Sequence, residues 1–214
     1  MGVEDVGERA VQVDDGHRAE HPASGIVLAG GRSRRFGRDK LAEPLFGRPL
    51  LHRAVLALEA VCAEVIVAGP TDPRLLPPLP ALSVPLRVVR DTEPDGGPLV
   101  GLRAGLEAAT WPLVVVVGGD MPDLAPALLA EMLRVLSEGP EAVALCEAGR
   151  LRPLPCALRT SALAALGSQL DGGRRSLHEL LEVLHARRLD EPAWRAFDPG
   201  AGTLRDVDRP EDLG

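Results

Sequence analysis

Short runs of consecutive apolar residues alternate along the chain with longer segments in which apolar residues recur every three or four positions. Such runs lie at residues 25–29, 65–68 and 113–117, where they predict strands that are buried on both faces. Residues 86–89 predict a further strand. The helical spacing predicts helices at residues 50–62, 98–109 and 125–137. Apart from the consecutive strands at 65–68 and 86–89, strands and helices thus alternate strictly through the first two thirds of the chain.

The last third departs from this strict alternation. Residues 142–147 and 151–158 are predicted strands, and Ala148-Gly149-Arg150 between them is typical of a hairpin turn. Further helices are predicted at 160–170 and 175–186, short strands near 187–190 and 193–197, and a last short helix from Pro210. The whole pattern predicts an α/β fold, a single-domain doubly wound sandwich of three layers with a mostly parallel sheet and a mixed edge.

Two segments outside this pattern differ in composition. Residues 1–23 carry six acidic residues and few large apolar ones, so they are predicted to form a disordered acidic tail. Residues 24–214 then form the folded domain. Residues 70–85 contain six prolines, which predict an irregular surface segment.

Composition narrows the classes of function. Aromatic residues make up only 2% of the chain and its net charge is −7, which disfavours nucleic-acid binding by stacking or by general charge. Cys62, Cys146 and Cys156 form no CxxC pair and no zinc spacing, and the first two lie in apolar runs typical of buried thiols. Without a long apolar span or a signal peptide, the chain is predicted to be cytoplasmic and free of membrane segments.

One stretch, residues 25–40, joins a strand to dense positive charge. The strand ends at Gly30-Gly31, and the loop that follows carries Arg32, Arg34, Arg35, Arg38 and Lys40. Adjacent glycines let backbone N–H groups approach another molecule, and clustered cations need an anion or solvent between them. These features favour a polyphosphate site. The spacing fits neither a P-loop nor a dinucleotide-binding fingerprint.

Two acidic residues also follow predicted strands. Asp91 comes after the third strand, and Asp120 comes after Gly118-Gly119 at the end of the fourth. Ligands of doubly wound sheets bind beyond the carboxyl ends of the strands, so these acids and the basic loop are expected to meet at one crevice. Asp120 is predicted to bind Mg²⁺, with Asp91 as the second acid on the metal or the nucleotide. The structural alternatives are a helix cap for Asp120 or Asp123 and a turn for Asp91.

Such a crevice suits the transfer of a nucleotide. Backbone N–H groups of Ala29, Gly30 and Gly31 are expected to hold the phosphates or the edge of the nucleotide. Lys40 and Arg35 are the predicted catalytic cations on the α-phosphate and the departing pyrophosphate, alongside Asp120. The other three arginines of the loop are either further contacts or solvated neighbours.

The residues of this loop carry a family resemblance. Leu28-Ala29-Gly30-Gly31, Arg35-Phe36-Gly37 and Asp39-Lys40 resemble the nucleotidyltransferase signature L-A-G-G-x-S-x-R-M-G-x-D-K, with Phe36 in place of Met. Within that superfamily the chain most resembles molybdenum cofactor guanylyltransferase. The resemblance covers roughly residues 24 to 213, and it includes Asp91 and residues 97–101, 119–122 and 206–212.

The resemblance implies a Rossmann-like fold of the nucleotide-diphospho-sugar transferase type and a definite reaction. GMP would pass from GTP to the terminal phosphate of molybdopterin, with release of pyrophosphate and with Mg²⁺ as cofactor. The residues implied to contact GTP are Leu28, Ala29, Gly30, Lys40, Asp91 and Asp120, the last also on the metal. The acceptor is already an oxyanion, so no general base is expected.

One position departs from the family, and the acceptor side is less specific. Ala68 stands where the family often has an Asn in contact with the nucleotide, which bears on base choice. Arg152, Arg174 and Arg175 fall where the pterin would be held, although they are also compatible with surface charges. Residues 206–212 are expected to pack the C-terminus near the crevice, with Asp208 as a possible helix cap.

Two other functions stay open at this stage. One is the same chemistry with CTP, or with a sugar or polyol phosphate as acceptor. The other is a catalytically silent nucleotide-binding module that regulates a partner. The partners expected for the first reading are GTP and molybdopterin, other cofactor-biosynthesis proteins and the molybdoenzyme that receives the product. The protein is expected to be a monomer or a weak oligomer.

Overall fold

A computed structural model describes residues 21–30, 40–70, 76–90, 96–207 and 210–213 of the chain. In these residues the strands are β1 (Ala23–Leu28), β2 (Pro44–Leu45), β3 (Arg48–Pro49), β4 (Glu64–Gly69), β5 (Leu86–Arg90), β6 (Leu113–Gly118), β7 (Ala142–Glu147), β8 (Arg150–Arg159) and β9 (Arg187–Leu189).

Six α-helices lie in the same described residues, and they are α1 (Leu50–Glu59), α2 (Pro98–Ala108), α3 (Pro126–Ser137), α4 (Leu163–Asp171), α5 (Leu177–Val183) and α6 (Glu191–Trp194). Single 3₁₀ turns complete the list at Lys40–Ala42, Thr160–Ala162, Gly202–Leu204 and Pro210–Leu213. Helices α2, α3 and α6 begin with Pro in the first turn, where its missing N–H costs nothing.

Seven strands form one sheet in the order β5-β4-β1-β6-β8-β7-β9. Strands β5, β4, β1 and β6 pair in parallel, whereas β8 runs antiparallel to both β6 and β7. From β1 the chain passes to β4 and β5 on one side, and then returns to β6 on the other side. The carboxyl ends of β1 and β6 therefore flank the point where the winding reverses, which is where doubly wound sheets bind ligands.

Two apolar layers cover the sheet. One layer packs α1 and α3 against it, and the other packs α2, α4 and α5. Strands β1, β4 and β6 are buried along their whole length, which explains their nearly unbroken apolar sequences. Helix α2 approaches especially closely, because a Cβ on Gly105 would lie 2.9 Å from the Ile26 side chain. The predicted fold class, with its parallel sheet and mixed edge, is confirmed.

Most predicted elements are confirmed with small shifts of their ends. The hairpin at 148–150 joins β7 to β8, and β9 adds to the mixed edge beside β7. Strand β1 begins at Ala23, which is fully buried, so the strand includes the last residue of the predicted tail. Residues 1–20 of that tail lie outside the described residues, and residues 21 and 22 precede the strand. The described part of the proline-rich segment, residues 76–85, contains neither helix nor strand.

One prediction near the end of the chain is wrong, and two predicted helices begin a few residues later than expected. The strand expected at 193–197 is instead helix α6, because Pro192 fits the first turn of a helix and Trp194 is buried. The Trp194 indole N–H donates to the Cys146 carbonyl at 3.0 Å, and a helix is what directs it there. Residues 160–162 form a 3₁₀ turn before α4. Helix α5 begins at Leu177, because the Ser176 hydroxyl caps it by accepting a hydrogen bond from the Glu179 N–H.

Two further observations concern the cysteines and the helices. All three cysteines are free and buried, including Cys156, whose position the sequence left open. Among the described residues, no helix is both long and apolar enough to cross a membrane.

Candidate active site

The carboxyl ends of β1 and β6 lie side by side. Leu28 is paired with Gly118, and the Gly119 N–H donates to the Leu28 carbonyl at 3.0 Å. On the other side of β1, the Ala29 N–H donates to the Ala68 carbonyl at 2.8 Å. The backbone that leads into Gly30 and Asp120 is therefore fixed by the sheet.

Lys40 and Asp120 meet at this edge. Lys40 opens the 3₁₀ turn Lys40–Ala42, and its Nζ lies 2.9 Å from Oδ2 of Asp120. The Lys40 side chain is only 11% exposed, whereas the Asp120 side chain is 33% exposed. A mostly buried ammonium requires a partner of opposite charge, and the carboxylate supplies it. Asp120 still presents part of its surface to solution.

Two glycines make room for this pair. A Cβ on Gly118 would lie 2.5 Å from Oδ1 of Asp120, so any larger residue would displace the carboxylate. A Cβ on Gly119 would lie 3.1 Å from Leu41, in the turn that carries Lys40. Bare backbone at the end of β6 thus lets the Lys40 turn and the Asp120 side chain approach each other.

The predicted alternative of a helix cap is wrong for Asp120 and for Asp123. Helix α3 begins at Pro126, and the residue before it is Ala125, with no side-chain cap from its own segment. The Ala125 N–H instead donates to the Thr203 hydroxyl at 2.9 Å. The Asp120 side chain instead accepts a hydrogen bond from Lys40 at the crevice.

The side chains at this site fit a magnesium ion that takes most of its ligands from phosphate oxygens and water. No group of three or more His, Cys, Asp or Glu able to hold a metal occurs among the described residues. Mg²⁺ commonly needs only one or two carboxylates, because water and phosphate oxygens complete its octahedron. Asp120 is one such carboxylate, partly exposed at the site.

Several predicted site residues lie outside the described residues. They are Gly31, Arg35 and the neighbouring Arg32, Arg34 and Arg38 in the basic loop, together with Asp91 and Asp208. Their roles remain predictions. Gly30 is exposed at the end of β1, and Leu28 and Ala29 are buried there. Because its N–H is already bonded to Ala68, Ala29 is not a phosphate donor through that group, contrary to the prediction.

The start of helix α2 lies over the ends of β1 and β4. Gly97 has φ of +80°, which suits glycine, and it precedes Pro98 at the start of the helix. A Cβ on Gly101 would lie 3.6 Å from the Ala68 Cβ and 3.8 Å from Leu28. Ala68 is 1% exposed, so its side chain packs under α2.

The structure does not bring the three predicted acceptor-binding arginines together. Arg152 lies in β8, where its guanidinium is 3.8 Å from Glu147 and donates to the Leu204 carbonyl at 3.5 Å. Arg174 and Arg175 lie in the loop between α4 and α5, although the helix predicted at 175–186 includes Arg175. Arg175 donates to the Gly96 carbonyl at 3.4 Å, beside the start of α2. Arg152 therefore contacts Leu204, which packs with the α1 and α3 layer, whereas Arg175 lies beside α2 of the opposite layer.

Sequence reasoning missed the residues that hold the turn after β6. Asp123 forms ion pairs with Arg53 of α1 and with Arg205 near the C-terminus, at 3.0 and 2.9 Å. The Val207 N–H donates to the Asp120 carbonyl at 3.1 Å, which agrees with the expectation that this segment packs near the crevice. No local pattern marks Arg53 or Arg205, because each pairs with a residue about 70 or more positions away.

Comparison with known proteins gives a consistent result. Residues 25–189 match the family described as the MobA-like NTP transferase domain. A probable molybdenum cofactor guanylyltransferase of Chloroflexus aggregans is 38% identical over 195 residues, which cover 89% of this chain and 91% of the relative. One from Pelotomaculum thermopropionicum is 30% identical over 191 residues, covering 89% and 90%.

A solved structure shares the fold. Molybdopterin-guanine dinucleotide biosynthesis protein A from Archaeoglobus fulgidus aligns with a TM-score of 0.71 at 22% identity. The alignment covers 89% of this chain and 94% of that one. At this level of identity, the likeness supports the architecture.

Proposed function

This chain belongs to the family of MobA-like NTP transferase domains, and on that premise we propose that it transfers GMP from GTP to molybdopterin. The products are the guanine dinucleotide form of the cofactor and pyrophosphate. The names of the relatives that match most of the chain support this choice of substrates. The observation that carries the proposal is the ion pair of Lys40 with Asp120 at the carboxyl ends of β1 and β6.

The proposed reaction needs no proton transfer from the protein. An oxygen of the acceptor's terminal phosphate attacks the α-phosphorus of GTP and forms a new P–O bond. The bond from that phosphorus to the oxygen bridging to the β-phosphorus breaks, and its electron pair leaves with pyrophosphate. The task of the protein is then to align two anions and to neutralise their charge.

Lys40 is the proposed cation for the phosphates. It is the single lysine in the chain, against 23 arginines. A compact ammonium fits an almost enclosed position better than a planar guanidinium does, which accounts for a lysine at this one place. In the free protein Asp120 neutralises it, and the phosphates of GTP take over that role when they bind. Arg35 is the second proposed cation.

Asp120 is the proposed ligand for Mg²⁺, with Asp91 as a second acid on the metal or the nucleotide. When bound, the metal supplies positive charge that offsets the charge of the phosphates. The two roles are linked, because an Asp120 carboxylate that held the metal would leave the Lys40 ammonium to the phosphates. Leu28, Ala29, Gly30 and Gly31 are proposed to line the nucleotide, with Gly30 and Gly31 offering backbone N–H groups.

Three arginines are the proposed contacts for the acceptor. Arg174 and Arg175 are proposed to meet the acceptor from the α2 side of the crevice, and Arg152 from the C-terminal side. The product would pass to a molybdoenzyme or to another cofactor-biosynthesis protein. We propose a cytoplasmic protein that acts as a monomer or a weak oligomer.

Transfer of CMP from CTP is the second candidate, and Ala68 is the reason to keep it. The family often has an Asn there, in contact with the nucleotide. In this chain the side chain is a methyl group packed 3.6 Å from the position of a Cβ on Gly101, so it offers the base no hydrogen bond. Base choice must rest on other groups.

Release of pyrophosphate tests both candidates. The assay compares GTP with CTP, each with and without molybdopterin and with and without Mg²⁺. We expect release from GTP only when acceptor and metal are both present. Release from CTP alone would favour the second candidate, and binding without release from either would favour a silent nucleotide-binding module.

A further inference from the structure

The segment 202–207 runs alongside the turn that carries Asp120. Three pairs of residues connect them in antiparallel order: Thr203 with Ala125, Arg205 with Asp123, and Val207 with Asp120. Their hydrogen bonds measure 2.9, 2.9 and 3.1 Å, and the last one reaches the backbone carbonyl of Asp120 itself. The turn is therefore held at its start, its middle and its end by one piece of chain. We refer to residues 202–207 as the C-terminal strap.

Helix α1 holds the same turn from the other side. The Arg53 Nε donates to the Pro122 carbonyl at 2.9 Å, and its Nη2 donates to Oδ1 of Asp123 at 3.0 Å. Arg205 of the strap takes the second oxygen, Oδ2. Each carboxylate oxygen of Asp123 is thus bound to a different arginine. Asp123 joins helix α1, the turn after β6 and the strap.

The strap is anchored at both of its ends. Thr203 is fully buried, and its N–H donates to the Asp198 carboxylate at 2.8 Å. Val207 is also fully buried, in a cluster with Leu45 and Leu50. Contact with the turn is close, because a Cβ on Gly202 would lie 3.1 Å from Asp123. Such an anchored segment is able to restrain the turn rather than follow it.

We propose that Arg53, Asp123 and the C-terminal strap are positioning residues that fix Asp120 for metal and nucleotide binding. This inference rests on the role of Asp120 proposed above. A catalytic carboxylate must be held to within about half an ångström, and its supporting partners supply that restraint. The strap lies beyond residues 25–189, which match the family, so the family match does not assign it this role.

Asp123→Asn and Arg205→Ala test the proposal through a binding measurement. The probe is Mn²⁺ together with the non-transferable nucleotide α,β-methylene-GTP, and bound Mn²⁺ is followed by electron paramagnetic resonance. We expect each variant to bind Mn²⁺ about 10- to 100-fold more weakly than the wild type, the usual effect of removing a supporting partner. Arg205→Lys keeps the charge and should recover part of the affinity.

A matched control separates positioning from general stability. Arg134→Ala removes an exposed arginine from α3 that pairs with Glu131 and Glu138, away from the turn, and Mn²⁺ affinity should not change. Amide exchange at Val207 reports the strap directly, and it should accelerate in Asp123→Asn and Arg205→Ala. The Arg205 side chain is 41% exposed, so its removal tests the proposal even if Asp123→Asn fails to fold.

Folded Arg205→Ala protein with wild-type Mn²⁺ affinity would overturn the proposal. Equal losses in Arg205→Lys and Arg205→Ala would count against the ion pair with Asp123. The proposed function has its own test, since it would be wrong if the wild type transferred no GMP to molybdopterin. Mn²⁺ affinity is read without an acceptor and without turnover, so the two failures are distinguishable.

Discussion

Lys40 Nζ lies 2.9 Å from Oδ2 of Asp120, although 80 positions separate the two residues in the chain. They meet because β1 and β6 are neighbours in the sheet and because two glycines clear the end of β6. In the free protein each residue neutralises the other. The pair thus places a cation suited to phosphates next to an anion suited to a metal.

Replacement of Lys40 should slow transfer strongly without unfolding the protein. Lys40→Ala is expected to lower kcat/KM for pyrophosphate release about 10²- to 10³-fold, the usual effect of removing one positioned group that stabilises developing charge. Lys40→Arg should also lose at least about tenfold, because a planar fork does not replace a compact ammonium in a nearly buried position. Steady-state kinetics with GTP and molybdopterin measures both. Activity of Lys40→Ala within threefold of the wild type would contradict the proposed role.

Chemical labelling of the single lysine offers a second test. An amine-selective acylating reagent has only Lys40 and the N-terminal amine as targets, because the chain contains no other lysine. We expect GTP with Mg²⁺ to slow the labelling of Lys40 and to leave that of the N-terminal amine unchanged, since the phosphates would cover the ammonium. Peptide mass spectrometry measures both rates in one sample. Equal protection of both amines, or of neither, would argue against phosphate contact.

Gly118→Ala should impair the site through one added methyl group. The new Cβ would lie 2.5 Å from Oδ1 of Asp120, so the carboxylate must move. We expect pyrophosphate release to fall at least about tenfold and the apparent affinity for Mg²⁺ to weaken, as for a displaced metal ligand. Titration of activity with Mg²⁺ measures both effects.

Gly167→Ala is the matched control for that substitution. Gly167 lies within α4, and nothing lies within 4 Å of the position of its Cβ. The substitution should leave activity unchanged and stabilise the fold by about 1 kcal/mol, since Ala is the better helix former. Equal losses of activity in the two variants would show that displacement of Asp120 is not the cause.

Glu64 should make the free energy of unfolding depend on pH. It is the first residue of β4, at the end of the sheet opposite to Lys40 and Asp120. Burial by itself would raise the pKa of the Glu64 carboxyl, but hydrogen bonds from Ser24, Thr110 and Arg87 outweigh burial and lower it below the ordinary value of 4.5. A lowered pKa in the folded state means that the bonds stabilise the fold above pH 4.5. This contribution is lost as the pH falls through the folded-state pKa.

Glu64→Gln measures this contribution. At pH 7 the variant should unfold with a free energy about 1–3 kcal/mol smaller than that of the wild type, because bonds to a buried charged group are lost. The difference should shrink below pH 4.5. Glu107→Gln is the control, since Glu107 is 62% exposed in its pair with Arg103, and surface pairs contribute about 0–1 kcal/mol. A difference that stays constant from pH 7 to pH 3.5 in urea unfolding would exclude the Glu64 carboxylate as its source.

Local pattern was sufficient to predict the parallel half of the sheet. Strands β1, β4 and β6 are covered on both faces, so almost every position in them requires an apolar or small residue. The meeting of Lys40 with the residues after β6 also follows from sequence, because parallel strands bring their carboxyl ends to one edge.

Features that depend on distant partners could not be predicted. Residues 193–197 are predicted to form a strand, yet Trp194 lies in helix α6 and donates its N–H to the distant Cys146 carbonyl. Asp123 resembles a helix cap, but Arg53 and Arg205 reach it from about 70 and 82 positions away. The strap itself has few apolar residues, and its order comes from contacts that no local period records.

Transfer of label from GTP to the acceptor tests the central claim most directly. The measurement incubates the protein with molybdopterin, Mg²⁺ and GTP labelled at the α-phosphorus, and then separates the products. We predict that the label appears in a molybdopterin guanine dinucleotide, in equal amount to the pyrophosphate released, and that Lys40→Ala slows both about 10²- to 10³-fold. Label that remains in GTP, while α-labelled CTP yields a dinucleotide under the same conditions, would contradict the account.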